Sequence, residues 1–216
     1  ENFDQYFNNC SQQNIRTNYR SPRGVVSVGN ALMNGLGVPA QASLNRKDHG
    51  WLMICKINEF IPTAPEQALH NGDKRTPALL RLIRHLLERD PRVVMLSRER
   101  RVPWTIQYTD KELQESDEQG RFRNHICSYL PEDDRERVTI STTHQYKGRE
   151  QEAVIILDAT DRKYPLIHPN WIFQRVFKDS IDKIEREERR LFYVAVTRTI
   201  NSLALITEAQ TQSPYI

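Results

Sequence analysis

Three cysteines, Cys10, Cys55 and Cys127, are all the chain has, far apart and with no C-x-x-C pair. That scarcity argues against a zinc site or a disulfide framework, and reduced thiols in a cytoplasmic setting are the expectation. No apolar run approaches the length of a bilayer span, and no signal peptide opens the chain, so no membrane partner is expected. Neither sign of charge dominates, since the formal net charge is +3. There is no polybasic signature. Local clusters such as Arg98, Arg100 and Arg101, or Arg186, Arg189 and Arg190, suit phosphates, but such runs are more often solvated faces. Internal repeats and low-complexity tracts are absent. So is any G-x-x-x-x-G-K-[ST] loop, the element that cradles the β- and γ-phosphates of a nucleotide.

What is present fits one α/β domain. A chain of 216 residues with 38% apolar side chains can bury a single core, and 27% charged residues supply its surface. Ser21-Pro22 reads as a helix start, followed by apolar residues at helical spacing from Val25 to Leu36. Trp51 to Ile57 reads as a buried strand. Thr76-Pro77 opens a second helix, with Leu79, Leu80, Leu82, Ile83, Leu86 and Leu87 in phase, and Asp90-Pro91 ends it. Val93 to Leu96 is the next strand. Residues 98–137 read as a charged connection with a short helix near Phe122 to Leu130. Strands at Val138–Ser141 and Ala153–Leu157 flank a polar segment. A long helix from Ser180 to about Thr197 and a strand at Ser202–Thr207 close the pattern. Apolar strands alternating with helices predict a mainly parallel sheet covered on both faces. In such sheets ligands gather at the carboxyl ends of the strands.

Three segments carry chemistry. Thr142-Thr143-His144-Gln145-Tyr146-Lys147-Gly148-Arg149-Glu150 is a polar stretch between two strands, in which Gly148 permits a turn or a close ligand approach. It suits phosphate and ribose, and equally an ordinary solvated turn. Glu187 to Arg198 (EERRLFYVAVTR) begins as a charged helix face, carries Leu191, Val194 and Ala195 as an apolar stripe, and closes on Arg198. That arginine is either a dipole-favoured helix end or a planar donor aimed at a phosphate. Asn18-Tyr19-Arg20-Ser21 precedes a helix N-terminus, where anions are favoured. Tyr19 stacks a base there or simply packs.

The order and wording of these segments resemble the later motifs of UvrD/Rep-type superfamily-one DNA helicases: NYRS at 18–21, TTHQYKGRE at 142–150 and EERRLFYVAVTR at 187–198. The resemblance extends to VVMLSR and SLALIT and is weakest over 37–75, 99–137 and 158–180. It implies a RecA-like, P-loop NTPase-type domain that lacks the Walker A loop, the second of two motor domains with ATP and Mg2+ held between them. Tyr19 would then stack on adenine, Arg20 would reach the γ-phosphate, and Arg198 would be the arginine finger. Glu150 would bond the ribose with Lys147 close to the nucleotide. Thr142 and His144 would meet the backbone of single-stranded DNA, with Arg98 as a further contact.

The departures shape the expectation. Without a phosphate-binding loop, the metal ligands and the phosphate cradle must come from an N-terminal RecA-like partner domain, and Glu1 in place of a starting Met suggests a piece of a larger protein. The interval between NYRS and KG-x-E leaves no room for a large helical insertion, except a reduced one within 98–137. Gln151 stands where the resembled motif carries an aromatic residue. The chain 1–216 is therefore expected to be one motor domain, inactive as an ATPase alone. A binding module that kept the fold and lost the motor is the alternative.

Overall fold

The computed structural model describes residues 16–46, 48–100, 118–167 and 180–216. Five strands form one all-parallel sheet: β3 (Trp51–Lys56), β4 (Val93–Ser97), β5 (Val138–Thr142), β6 (Gln151–Ile156) and β7 (Thr199–Thr207), in the order β3-β7-β6-β4-β5. A separate two-stranded parallel ribbon joins β1 (Thr17–Asn18) to β2 (Gln41–Ala42). The helices are α1 (Arg23–Leu32), α2 (Ala64–Leu69), α3 (Arg75–Arg89), α4 (Glu118–Ser128), α5 (Glu132–Arg135) and α6 (Ile181–Val196).

The apolar strands dictate this layering. Every residue of β4 is buried. Because side chains alternate across a strand, Val93 and Met95 join one core while Val94 and Leu96 join the other. β6 divides in the same way, with Ala153 and Ile155 on the first face and Val154 and Ile156 on the second. On the first face lie α3, through Leu79, Ile83 and Leu86, and α4, through Phe122 and Ile126. On the second lie α1, through Val25 and Leu32, and α6, through Phe192, Ala195 and Val196. The parallel sheet covered by helices on both faces is the architecture the sequence pattern predicts. No described helix is long and apolar enough to cross a membrane.

Several local expectations are corrected. Trp51–Lys56 is an edge strand, not a buried one. Leu52, Met53 and Ile54 stay exposed because β7 pairs only one side. Ser21 does not cap α1. Its hydroxyl is buried without a partner among the described residues, and the first amides of the helix, Arg23 and Gly24, donate to Asp48 O (3.2 Å) and His49 O (3.0 Å) instead. Thr76 does not cap α3 either, because Asp73 accepts from the amides of Arg75 (2.8 Å) and Thr76 (3.2 Å). The first helix stops at Leu32, and Gly35 beyond it takes a positive φ. Ser180 does cap α6, accepting from the amide of Lys183 at 3.2 Å. Of the stretch read as a connection, residues 101–117 lie outside the described residues. The part from Glu118 onward belongs to the core through Phe122, Ile126 and Leu130.

Ile155, fully buried at the centre of β6, tests this layering. Ile155→Ala should cost about 2–5 kcal/mol of unfolding free energy, because the cavity it leaves cannot collapse between two covered faces. Urea denaturation checks this; a loss within error of zero would contradict the core.

Candidate functional site

The three chemistry-bearing segments occupy the two ends of the sheet. The segment after β5 begins at the carboxyl end of that edge strand, where the Thr143 amide donates to Ser97 O at 2.9 Å. It finishes at the amino end of β6, where the Gln151 amide donates to Arg198 O at 3.0 Å. Eight residues, 143–150, thus traverse the length of the sheet. Gly148, with φ of +86°, makes the turn into β6, a conformation that L side chains rarely adopt.

At the amino ends of β6 and β7, Arg20 and Glu150 form an ion pair through Arg20 Nε and Glu150 Oε2. Both side chains are partly exposed, so the pair is a loose surface contact rather than a stabilising core element. Arg198 lies close enough to feel both charges. Burial first, then the neighbouring Arg20, lowers its pKa, with Glu150 opposing. A guanidinium stays protonated through such a shift. Its Nε donates to Val194 O (3.0 Å) and its Nη1 to Arg149 O (3.1 Å). The side chain is therefore pinned to the last turn of α6 and the loop before β6, and Nη2 has no hydrogen bond among the described residues. Tyr19 stands beside Arg20 with its ring 72% exposed. A free aromatic face, a carboxylate and two guanidinium groups are thus gathered in one place. Lys147 is exposed, and its amide donates to His144 O at 3.3 Å. Among the described residues, no side-chain hydrogen bond or ion pair ties it to the group.

This group sits at the amino ends of its strands, contrary to the expectation that ligands gather at the carboxyl ends. The carboxyl ends of β4 and β5 carry the other set. Thr142 is buried there. Its Oγ1 donates to Gln145 Oε1 (3.2 Å) and accepts from the Gln145 amide (3.1 Å), so its hydroxyl closes a turn. His144 is exposed; partial burial first, then Arg98 and Lys147, lowers its pKa against the pull of Glu188, keeping the imidazole neutral at pH 7.

Arg98 is not the solvated arginine that its charge run implies. Its Nε and Nη2 donate to Glu188 at 3.0 and 2.6 Å, and the two side chains are only 12% and 11% exposed. Glu188 also accepts from the Leu166 amide at 3.1 Å. Nor is the start of the last helix a wholly charged face. The buried stripe is Glu188, Phe192, Ala195 and Val196; of the expected Leu191, Val194 and Ala195, Ala195 is buried while Leu191 and Val194 are only partly so. The signal was available, since Glu188 lies four and seven residues before Phe192 and Ala195, in phase with them. Gln151, in place of an aromatic residue, accepts the hydroxyl proton of buried Tyr146 at 3.1 Å.

Residues 104–210 match the family model of the UvrD-like helicase C-terminal domain. Over that stretch, just under half of the chain, the sequence is similar to a UvrD-like helicase C-terminal domain. Thr142, His144, Lys147, Glu150 and Arg198 fall inside the match, while Tyr19 and Arg20 precede it. Among solved structures, the chain is similar to the C-terminal domain of a possible DNA helicase from Lactobacillus plantarum WCFS1. The two share 14% identity over 91% of each chain, at a TM-score of 0.45. A comparison with curated proteins finds no match.

An exposed tyrosine next to a carboxylate and two guanidinium groups is chemistry compatible with a nucleotide. Among the described residues, no three His, Cys, Asp or Glu side chains are placed to hold a metal ion.

Asp158, just beyond β6, escaped sequence reasoning. Its Oδ1 is buried without a partner among the described residues, and burial pushes its pKa from 3.8 to about 7, against the pull of Lys163. A carboxyl whose folded pKa is raised stabilises the fold below its unfolded pKa, and that contribution disappears as pH rises toward 7. His125 and His144, whose pKa values are lowered, act in the opposite sense in this window. The wild-type minus Asp158→Asn difference in urea midpoint isolates the carboxyl. The variant should gain on the wild type from pH 5 to pH 8; a constant difference would refute the neutral carboxyl.

Proposed function

We propose that this domain is the second motor half of an ATP-dependent DNA helicase or translocase, completing an ATP site whose phosphate-binding loop belongs to an N-terminal RecA-like domain. One observation carries the reading: Arg20, Glu150 and Arg198, distant in sequence, converge at the amino ends of β6 and β7, with exposed Tyr19 next to Arg20 in the chain. A scaffold that only bound DNA or protein would have no chemical need for that set.

In this reading Tyr19 stacks on adenine and Glu150 accepts from the ribose hydroxyls. Arg20 leaves its loose pair with Glu150 for the γ-phosphate. Arg198, already held by Val194 and Arg149, turns its remaining N–H groups to the same phosphate as the arginine finger. Phosphoryl transfer to water needs negative charge neutralised on the transferred group. Guanidinium groups from a separate domain do so only when the cleft closes, which couples hydrolysis to domain movement. Lys147 adds positive charge near the nucleotide. Bound Mg2+, with ligands from the partner domain, would neutralise the phosphate oxygens.

His144 and the Thr142 turn form part of the single-stranded DNA track. Thr142 shapes the loop with its hydroxyl, and exposed His144 meets the sugar-phosphate backbone, a contact that positions a strand without reading its sequence. The domain takes in 1–216, with residues 98–137 as a connection or reduced insertion in place of the usual helical subdomain.

The chain alone should show no DNA-stimulated ATP hydrolysis. In the two-domain protein, Arg198→Ala should lower kcat about a thousandfold or more, while circular dichroism shows an unchanged fold. Robust turnover by the chain alone, or an Arg198→Ala variant with normal kcat, would overturn the division of labour. Tyr19→Ala should raise KM for ATP about tenfold, since stacking one base is worth about 1–3 kcal/mol; an unchanged KM would remove Tyr19 from the site.

A further inference from the structure

One helix connects the two ends of the sheet. The middle of α6 passes the carboxyl end of β4, where Glu188 meets Arg98 and Leu166, and the helix leads into the amino end of β7, where Arg198 follows it. Ten residues separate Glu188 from Arg198, about 15 Å of helix. Phe192, Ala195 and Val196, between them, are fully buried against the sheet, so the helix moves as a strut rather than bending locally.

Glu188 touches no residue of the nucleotide group. It is nevertheless a carboxylate with only 9% of its surface exposed, fully committed to the Arg98 fork and the Leu166 amide. Removing one partner of such a buried pair is strongly unfavourable, because the other charge is left uncompensated. A phosphate is the one other common anion that matches a guanidinium fork in geometry and charge. Exposed His144 stands beside the Arg98–Glu188 pair. A DNA phosphate arriving at His144 therefore reaches Arg98 as well, and competes with Glu188 for it.

We propose that Glu188 is a positioning residue that holds Arg98 in reserve and, through α6, transmits the exchange of Arg98 from carboxylate to DNA phosphate to Arg198. The inference rests on the DNA-motor reading above. With Arg98 on Glu188, the middle of α6 is tied to the end of β4. With Arg98 on phosphate, Glu188 keeps only the Leu166 amide and α6 is freed to shift its far end. Such coupling is reciprocal in binding.

The test uses the whole 216-residue chain, labelled with 15N, and follows the guanidinium Nε–H signals of Arg98 and Arg198 as single-stranded oligothymidylate is added. Both signals should move with the same midpoint. In Glu188→Gln, oligothymidylate should bind about threefold more tightly, because one negative charge beside the track is gone. The Arg198 signal should then stay still. An Arg198 signal that ignores DNA in the unaltered chain while Arg98 responds would overturn the inference and leave the DNA reading intact. So would a full Arg198 response in Glu188→Gln. No binding of oligothymidylate to the unaltered chain would overturn the DNA reading itself and this inference with it. Should Glu188→Gln fail to fold, seen in its amide spectrum, the response of the unaltered chain decides.

Discussion

The constraint on which everything else depends is that β4, β6 and β7 are apolar on both sides. A strand with Val, Met, Leu and Ile at successive positions cannot face water with either surface, so it must lie inside a sheet with helices above and below. Parallel pairing follows, because each helix returns the chain to the same starting end. Loops then divide into those at the carboxyl ends and those at the amino ends. Arg98, Thr142 and His144 belong to the first group, and Arg20, Glu150 and Arg198 to the second.

That division gives the molecule its functional polarity. The segment from Thr142 to Glu150 and helix α6 are two routes between the ends, and in the proposed reading each carries a DNA contact towards one end and a nucleotide contact at the other. In the segment these are His144 and Glu150; on the helix they are Glu188, through Arg98, and Arg198. The electrostatics differ as well. Arg98 and Glu188 are sequestered and mutually committed, whereas Arg20 and Glu150 are half in solvent and readily exchanged. A loose pair suits the end where a soluble ligand must enter.

Much of the fold was legible. Val93–Leu96, Ala153–Leu157 and the long final helix announce themselves by composition and period, and Ser180 by its capping chemistry. The errors share a physical cause, competition that a linear reading cannot see. Ser21 and Thr76 have the right hydroxyls for helix caps, but the carbonyls of Asp48 and His49 take the first amides of α1, and the Asp73 carboxylate takes those of Arg75 and Thr76. Thr63 and Glu66, which do pair at the start of α2, carried a T-x-x-E signal that was open to reading. Trp51–Lys56 is apolar enough for a buried strand, yet its place in the sheet order leaves one edge unpaired.

The sequence by itself determined the fold class, the three motif segments and the family resemblance, because these depend on local composition, period and residue order. Only the tertiary structure decided which chemistry-bearing residues stand together, because those contacts close across 90 and 130 positions. Arg20 meets Glu150, while Arg98, which looked like one more solvated arginine, is folded onto Glu188. Nor could any local pattern show that the nucleotide group lies at the amino ends of its strands. That follows from how an eight-residue segment crosses the sheet, a matter of distance in space rather than order along the chain.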